Sequence, residues 1–266
     1  MLESFFGFTG LPFGRNVDAA CLMRTEAWDE MDERLRHVAR TVGFGVFTGD
    51  TGTGKTTALR RFAQDLDARK HRVLYVCDSF LTPRNFYWET LHQLGHTPRF
   101  YRGDAKRQLQ KALADLVEDR KTPVIIVDEA HLLSKEMLEE IRFLLNLHMD
   151  SRSSLALIIA GQTELKDRLK LQIHQAIAGR VDLRFHLGPL TAEETARYVR
   201  SHLEAVKSPG EIFTKAAVAM LYEYSGGIPR KINKVATACL MSAACSQSRL
   251  VDDHVVRVVV ASEFEM

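Results

Sequence analysis

Residues 49–56 read Gly-Asp-Thr-Gly-Thr-Gly-Lys-Thr and fill the pattern G-x-x-x-x-G-K-[ST]. Each position suits a bound polyphosphate. Gly49, Gly52 and Gly54 lack a Cβ, so the backbone can turn tightly and aim several N–H groups at one phosphate, with Asp50, Thr51 and Thr53 completing the cradle. Lys55 supplies a point charge for the β- and γ-phosphates. Thr56 offers a hydroxyl ligand to Mg²⁺, and Thr57 extends the same helix start. Residues 42–47 form a short apolar run that reads as a buried strand, and Ala58, Leu59, Phe62 and Leu66 share one helical face after the loop. A strand, a glycine loop and a helix N-terminus together place phosphate on the helix dipole.

A second group of residues complements the loop. Val124-Ile-Ile-Val-Asp-Glu129 is an apolar strand ending in two acids, and a buried strand does not end in adjacent carboxylates without a partner for them. Asp128 is placed to hold Mg²⁺, directly or through water, and Glu129 to orient or activate an attacking water. His131 follows, either as a cap or in support of the acids. The strand at 154–160 runs into Gly161-Gln162, where the amide could reach a γ-phosphate or the lytic water, or could merely cap a helix. Arg180 precedes the last core strand, where an arginine can reach a neighbouring subunit's nucleotide and stabilise charge on the transferring phosphate; Arg184, inside the strand, reads as structural. Arg230, in Gly226-Gly-Ile-Pro-Arg230, lies at a helix start and is a candidate nucleotide sensor.

These residues need a scaffold, and the chain of 266 residues can build one. Strands are predicted at 43–48, 72–77, 123–128, 154–160 and 182–187, with helices near 25–42, 54–68, 83–94, 105–120, 134–149 and 163–171. This alternation argues for an α/β fold with a parallel sheet covered on both faces. From Thr191 the pattern becomes helical only, opening on the capping box Thr191-Ala-Glu-Glu194 and continuing near 211–224, 229–246 and 252–261. The expected organisation is an N-terminal aromatic segment and helix (1–42), an α/β core (43–190) and a C-terminal helical lid (191–266). Phe5, Phe6, Phe8 and Phe13 must pack on something, either the core or an adenine pocket.

A formal net charge of +2 excludes a strongly basic nucleic-acid binder, so any DNA contact must come from a local patch. The segment Arg99-Phe-Tyr-Arg-Gly-Asp-Ala-Lys-Arg107 is one such patch, or else a solvated loop and helix face. The four cysteines are scattered without a C-x-x-C pair, which fits a reduced, cytoplasmic setting, and no apolar window is long enough to predict a membrane span.

Taken together, the motifs at 49–56, 124–129, Gln162, Arg180 and 226–230 resemble the AAA+ ATPases and appear in that family's order. The resemblance implies a P-loop AAA+ core with a five-stranded parallel sheet of order 5-1-4-3-2, a helical lid, ATP and Mg²⁺ as ligands, and a homo-oligomer, ring or helical filament, in which Arg180 completes the neighbour's site. The opening F-F-G-F-T-G-L-P-F-G, the D-E-A-H-L-L box and G-G-I-P-R-K-I-N look like the ExeA branch. That branch has secretion-associated ATPases that aid secretin assembly, and transposition helpers similar to TnsC, MuB and IstB. With no predicted membrane span, the expectation favours the second use: an ATP-dependent assembly on double-stranded DNA that recruits a transposase or adaptor. Arg84, Arg99, Arg102 and Lys106 would then bind DNA phosphates without reading sequence.

Overall fold

The structure, a computed structural model, describes residues 2–14, 23–145 and 154–264. Cys21 and the 146–149 end of the helix expected at 134–149 lie outside the described residues. By mutual contact the chain separates into two compact units: Ala27–Thr51 with Lys55–Leu187, and Met1–Glu26 with Gly52–Gly54 and Gly188–Met266.

The first unit is the α/β core. Its strands are β1 (Phe44–Thr48), β2 (His71–Val76), β3 (Thr122–Val127), β4 (Ala156–Gly161) and β5 (Leu183–His186). They form one sheet of order β2-β3-β4-β1-β5, parallel throughout, which is the expected topology read from the other edge. The central strands are buried along their length, as a parallel sheet covered by helices requires. α2 (Glu26–Thr41) places Met31, Leu35, Val38 and Ala39 on one buried face, against a cluster that includes Phe47 and residues of α3 (Lys55–Asp65). The opposite face carries α4 (Pro83–Gln93), α5 (Arg102–Glu118), α6 (Lys135–Leu144) and α7 (Thr163–Lys170). A four-residue α8 (Gln175–Ala178), not anticipated from the sequence, leads to β5.

α4, α5 and α6 meet at a buried carboxylate. Glu140 accepts from Tyr87 Oη, from Arg102 and, at 2.7 Å, from Lys106 Nζ. Burial alone would raise its pKa, but the donors from Lys106, Tyr87 and Arg102 outweigh it and hold the group at about 2. A carboxyl depressed on folding stabilises the protein above its unfolded value, here 4.5, and that stabilisation is lost as the pH falls from there toward 2. Replacing Glu140 by Gln should therefore flatten this acid limb. Comparing melting temperature against pH for the two proteins measures the difference. Glu140→Ala takes the carboxylate from Lys106 and the buried Tyr87 hydroxyl and leaves Arg102 with Glu136 alone, so it should lower the melting temperature more than Glu140→Gln does.

The second unit is helical: α1 (Leu2–Phe6), α9 (Ala192–Ala205), α10 (Lys215–Ser225), α11 (Pro229–Cys245) and α12 (Asp253–Glu263). The capping box at Thr191 and Glu194 is formed as expected. The N-terminal aromatics dock here: Phe6, Phe8 and Phe13 are buried in one cluster with Val199, Leu203 and Phe213. His202 of α9 fixes the segment through a 2.6 Å bond to the Pro12 carbonyl, and burial lowers its pKa. The turn before α10 is longer than expected because Phe213 bridges to Val251 and Thr214 takes the N-cap. Gly227 has φ +73°, and a Cβ there would lie 1.9 Å from the Leu190 carbonyl oxygen. Gly227→Ala should destabilise the protein by about 3–5 kcal/mol, as denaturant unfolding would show.

Candidate nucleotide site

The loop from Gly49 to Gly54 leaves β1 and enters α3 at Lys55. Gly52 and Gly54 take φ of +89° and +105°, which side chains rarely tolerate, so the loop conformation calls for glycine at both positions. Lys55 is buried, and its Nζ donates to the carbonyls of Gly49 (2.6 Å) and Asp50 (2.8 Å). Thr57 lies in the first turn of α3 beside Thr56. The ammonium is thus held inside the loop it is meant to serve, at the N-terminus of a helix.

The two acids at the end of β3 occupy different environments. Asp128 is buried, and its Oδ2 accepts from Thr56 Oγ1 (2.7 Å) and from Tyr75 Oη (3.0 Å), while Oδ1 accepts the Glu129 N–H (2.8 Å). Glu129 turns into the left-handed region (φ 52°, ψ 32°), a conformation that costs a non-glycine residue about 1–2 kcal/mol. Its carboxylate is 42% exposed while that of its neighbour is inside the protein. One acid is therefore paired with the hydroxyl of the loop helix, and the other faces outward with its oxygens accessible. The two hydroxyls and the carboxylate of Thr56, Tyr75 and Asp128 are hard oxygen donors of the kind Mg²⁺ takes, so Thr56 and Asp128 fit the role expected of them.

Tyr75 was not anticipated. It stands opposite Ile126 in the β2–β3 register, so its side chain points to the same face as Asp128, two residues further along. Burial, followed by the charge of Asp128, drives its phenol above the ordinary range and keeps it a donor.

Gln162 is the N-cap residue of α7 but makes no side-chain capping bond, so its amide is not spent on the helix end. Thr163 Oγ1 donates to Asp50 Oδ1 at 2.7 Å, joining α7 to the loop. Arg180 donates from Nη1 to the Arg142 carbonyl at the end of α6 (3.0 Å), and Arg184 donates to the Ala178 carbonyl (2.7 Å). Arg230 belongs to the same unit as Gly52–Gly54; its N–H reaches the Gly52 carbonyl at 3.3 Å.

The four basic residues expected to meet DNA are placed unevenly. Arg102 is ion-paired with Glu136 and Glu140, and Lys106 with Glu140. Arg84 stacks over Trp88 and Phe100, 5.2 and 4.7 Å from the ring centroids. The Arg99 carbonyl accepts from Trp88 Nε1. Two of the four thus have their charge balanced by buried or nearby carboxylates, a pairing that sequence spacing did not reveal because the acids lie on α6.

A parallel sheet in this order, with a glycine loop feeding α3 and a threonine–aspartate pair beneath it, defines a P-loop ATPase. Residues 37–169 match the AAA domain family, and the chain belongs to it. It is 32% identical over 252 residues to General secretion pathway protein A of Aeromonas hydrophila, covering 91% of this chain and 45% of that protein. The chain therefore spans less than half the length of this curated relative. The fold is also that of Drosophila ORC bound to DNA (TM-score 0.73, 19% identity, 97% of this chain and 65% of that one). Cdc6p from Pyrobaculum aerophilum is similarly close (TM-score 0.73, 16% identity, 94% and 70%). No helix among the described residues is long and apolar enough to cross a membrane.

Proposed function

We propose that this chain is the ATPase core of a secretion-pathway factor, using ATP binding to assemble copies of itself on a protein partner and hydrolysis to release them. The observation that carries this reading is the 32% identity, over nine-tenths of the chain, to a general secretion pathway protein. The pairing of Arg102 and Lys106 with Glu136 and Glu140 supports a protein partner over the transposition reading, because it removes charge from the patch that would have met DNA phosphates.

In this reading ATP is the substrate. Gly49–Gly54 wrap its phosphates with backbone N–H groups, and Lys55 supplies the charge. Thr56 and Asp128 would hold Mg²⁺, which would neutralise charge on the phosphate oxygens. Glu129 accepts the proton of the attacking water, and its exposed carboxylate is free of the hydroxyl pairs that occupy Asp128. Gln162 stands at the end of β4 to contact the γ-phosphate or that water, and Arg230 is the candidate nucleotide sensor. Arg180 acts on the site of a neighbouring copy, so the complete catalytic centre requires an oligomer. The protein partner, the oligomer and a cytoplasmic location are parts of the same proposal.

The test is sedimentation of the purified protein with a slowly hydrolysed ATP analogue, alone and with duplex DNA at low salt. Assembly with nucleotide alone, unaffected by DNA, supports the secretion reading. Assembly that requires DNA would return Arg84 and Arg99 to the role of phosphate contacts and favour the transposition reading.

A further inference from the structure

The turn that carries Glu129 is held from outside the nucleotide loop. After Glu129 the chain makes a single 3₁₀ turn, Ala130–Leu132, capped by Leu133. A turn this short leaves carbonyls without intrahelical partners. Two of them are taken by one side chain: Arg168 of α7 donates from Nη1 to the His131 carbonyl and from Nη2 to the Leu133 carbonyl (2.6 Å). The guanidinium is planar and presents its N–H groups in a fixed fork, so two bonds to successive parts of one turn set the turn's orientation as well as its position.

α7 is also tied to the nucleotide loop and to the end of β4. Thr163, its first residue, bonds Asp50 in the loop. The N–H of Gln162, its N-cap, approaches His131 Nδ1 at 3.4 Å, and the same nitrogen lies 3.4 Å from Glu129 Oε2. The packing is close: a Cβ on Gly161 would sit 2.9 Å from the His131 backbone nitrogen. α7 thus touches the loop at its start and, five residues later, grips the turn behind Glu129.

We propose that Arg168 is a positioning residue for ATP hydrolysis: it locks the Glu129 turn to α7, so that the carboxylate keeps a fixed relation to the loop residue Asp50 and to Gln162. It acts through the backbone of residues 131 and 133. The inference rests on the reading of Glu129 as the base.

A loosened turn misplaces Glu129 without disturbing the phosphate cradle. Arg168→Ala should therefore lower kcat by about 10–100-fold, the range expected when a catalytic group shifts by about an ångström. The Kd for a slowly hydrolysed ATP analogue should stay within about threefold. Arg168→Lys, which can reach one carbonyl but not both, should fall between Arg168→Ala and the parent. The decisive comparison is in the Glu129→Gln background, where Arg168→Ala should slow the residual rate by less than about twofold, because there is no base left to misplace. All rates are taken below the melting temperature of the least stable variant. Arg168 is not a positioning residue if Arg168→Ala turns over like the parent, or if it costs the same factor with and without Glu129. A Kd that rises in step with the fall in kcat would equally overturn it. If Glu129→Gln alone hydrolyses ATP like the parent, it is the base assignment that fails, and that result is separate from any seen with Arg168.

Discussion

Glu129→Gln binds ATP as the parent does and turns it over about 10²–10⁴-fold more slowly, the range that one general base contributes. The substitution keeps the size of the side chain and its left-handed backbone but removes the proton acceptor. It leaves Asp128 untouched, because Glu129 meets Asp128 only through its backbone N–H. Binding therefore survives, and the protein should accumulate in its nucleotide-bound, assembled state. Single-turnover hydrolysis with the analogue-binding assay run in parallel separates the two effects. Normal turnover would show that the exposed carboxylate is not the base, whereas loss of binding would show that it shapes the loop.

Lys55→Ala has the second large effect and the opposite signature, with nucleotide binding lost along with turnover. The ammonium is buried and bonded to two carbonyls of its own loop, Gly49 and Asp50. Removing it deprives the phosphates of their cation and leaves those two carbonyls without this donor. Charge-assisted contacts to phosphate are among the stronger polar interactions. Affinity should fall by two or more orders of magnitude, about 3 kcal/mol or more, since each tenfold is about 1.4 kcal/mol. Titration of a fluorescent ATP analogue measures it, with circular dichroism confirming the fold. Retained affinity would mean that the backbone N–H groups alone bind the nucleotide.

The residues that could be read from the sequence are those whose roles are local. The glycine loop, Lys55 and Thr56 are contiguous, and β3 announces itself as an apolar run ending in Asp128 and Glu129. The sheet order followed from the family resemblance of these motifs, and the structure has it. The residues that escaped depend on register or on distant partners. Tyr75 meets Asp128 only because β2 and β3 pair with Tyr75 opposite Ile126. Arg168 sits among charged neighbours in Thr163–Lys170, and nothing in that spacing marks the carbonyls of residues 131 and 133 as its partners. Glu140 lies between the buried positions Met137, Leu138, Ile141 and Leu144 of α6, so an acid on an apolar face was a visible signal. Weighing it would have shown that nearby cations were needed inside the protein, and Arg102 and Lys106 supply them. The N-terminal aromatics were rightly expected to pack, but α1 is only five residues long and gives too little periodicity to be seen.

The central claim is that one copy holds the nucleotide and that hydrolysis needs a neighbour. It is tested most directly by the Mg²⁺-dependent ATP hydrolysis rate per molecule, measured across protein concentration for the parent and for Arg180→Ala. The account predicts a rate per molecule that rises with concentration in the parent and stays low and flat in Arg180→Ala, while both bind ATP equally. A rate per molecule that is high and independent of concentration, unchanged by loss of Arg180, would contradict it.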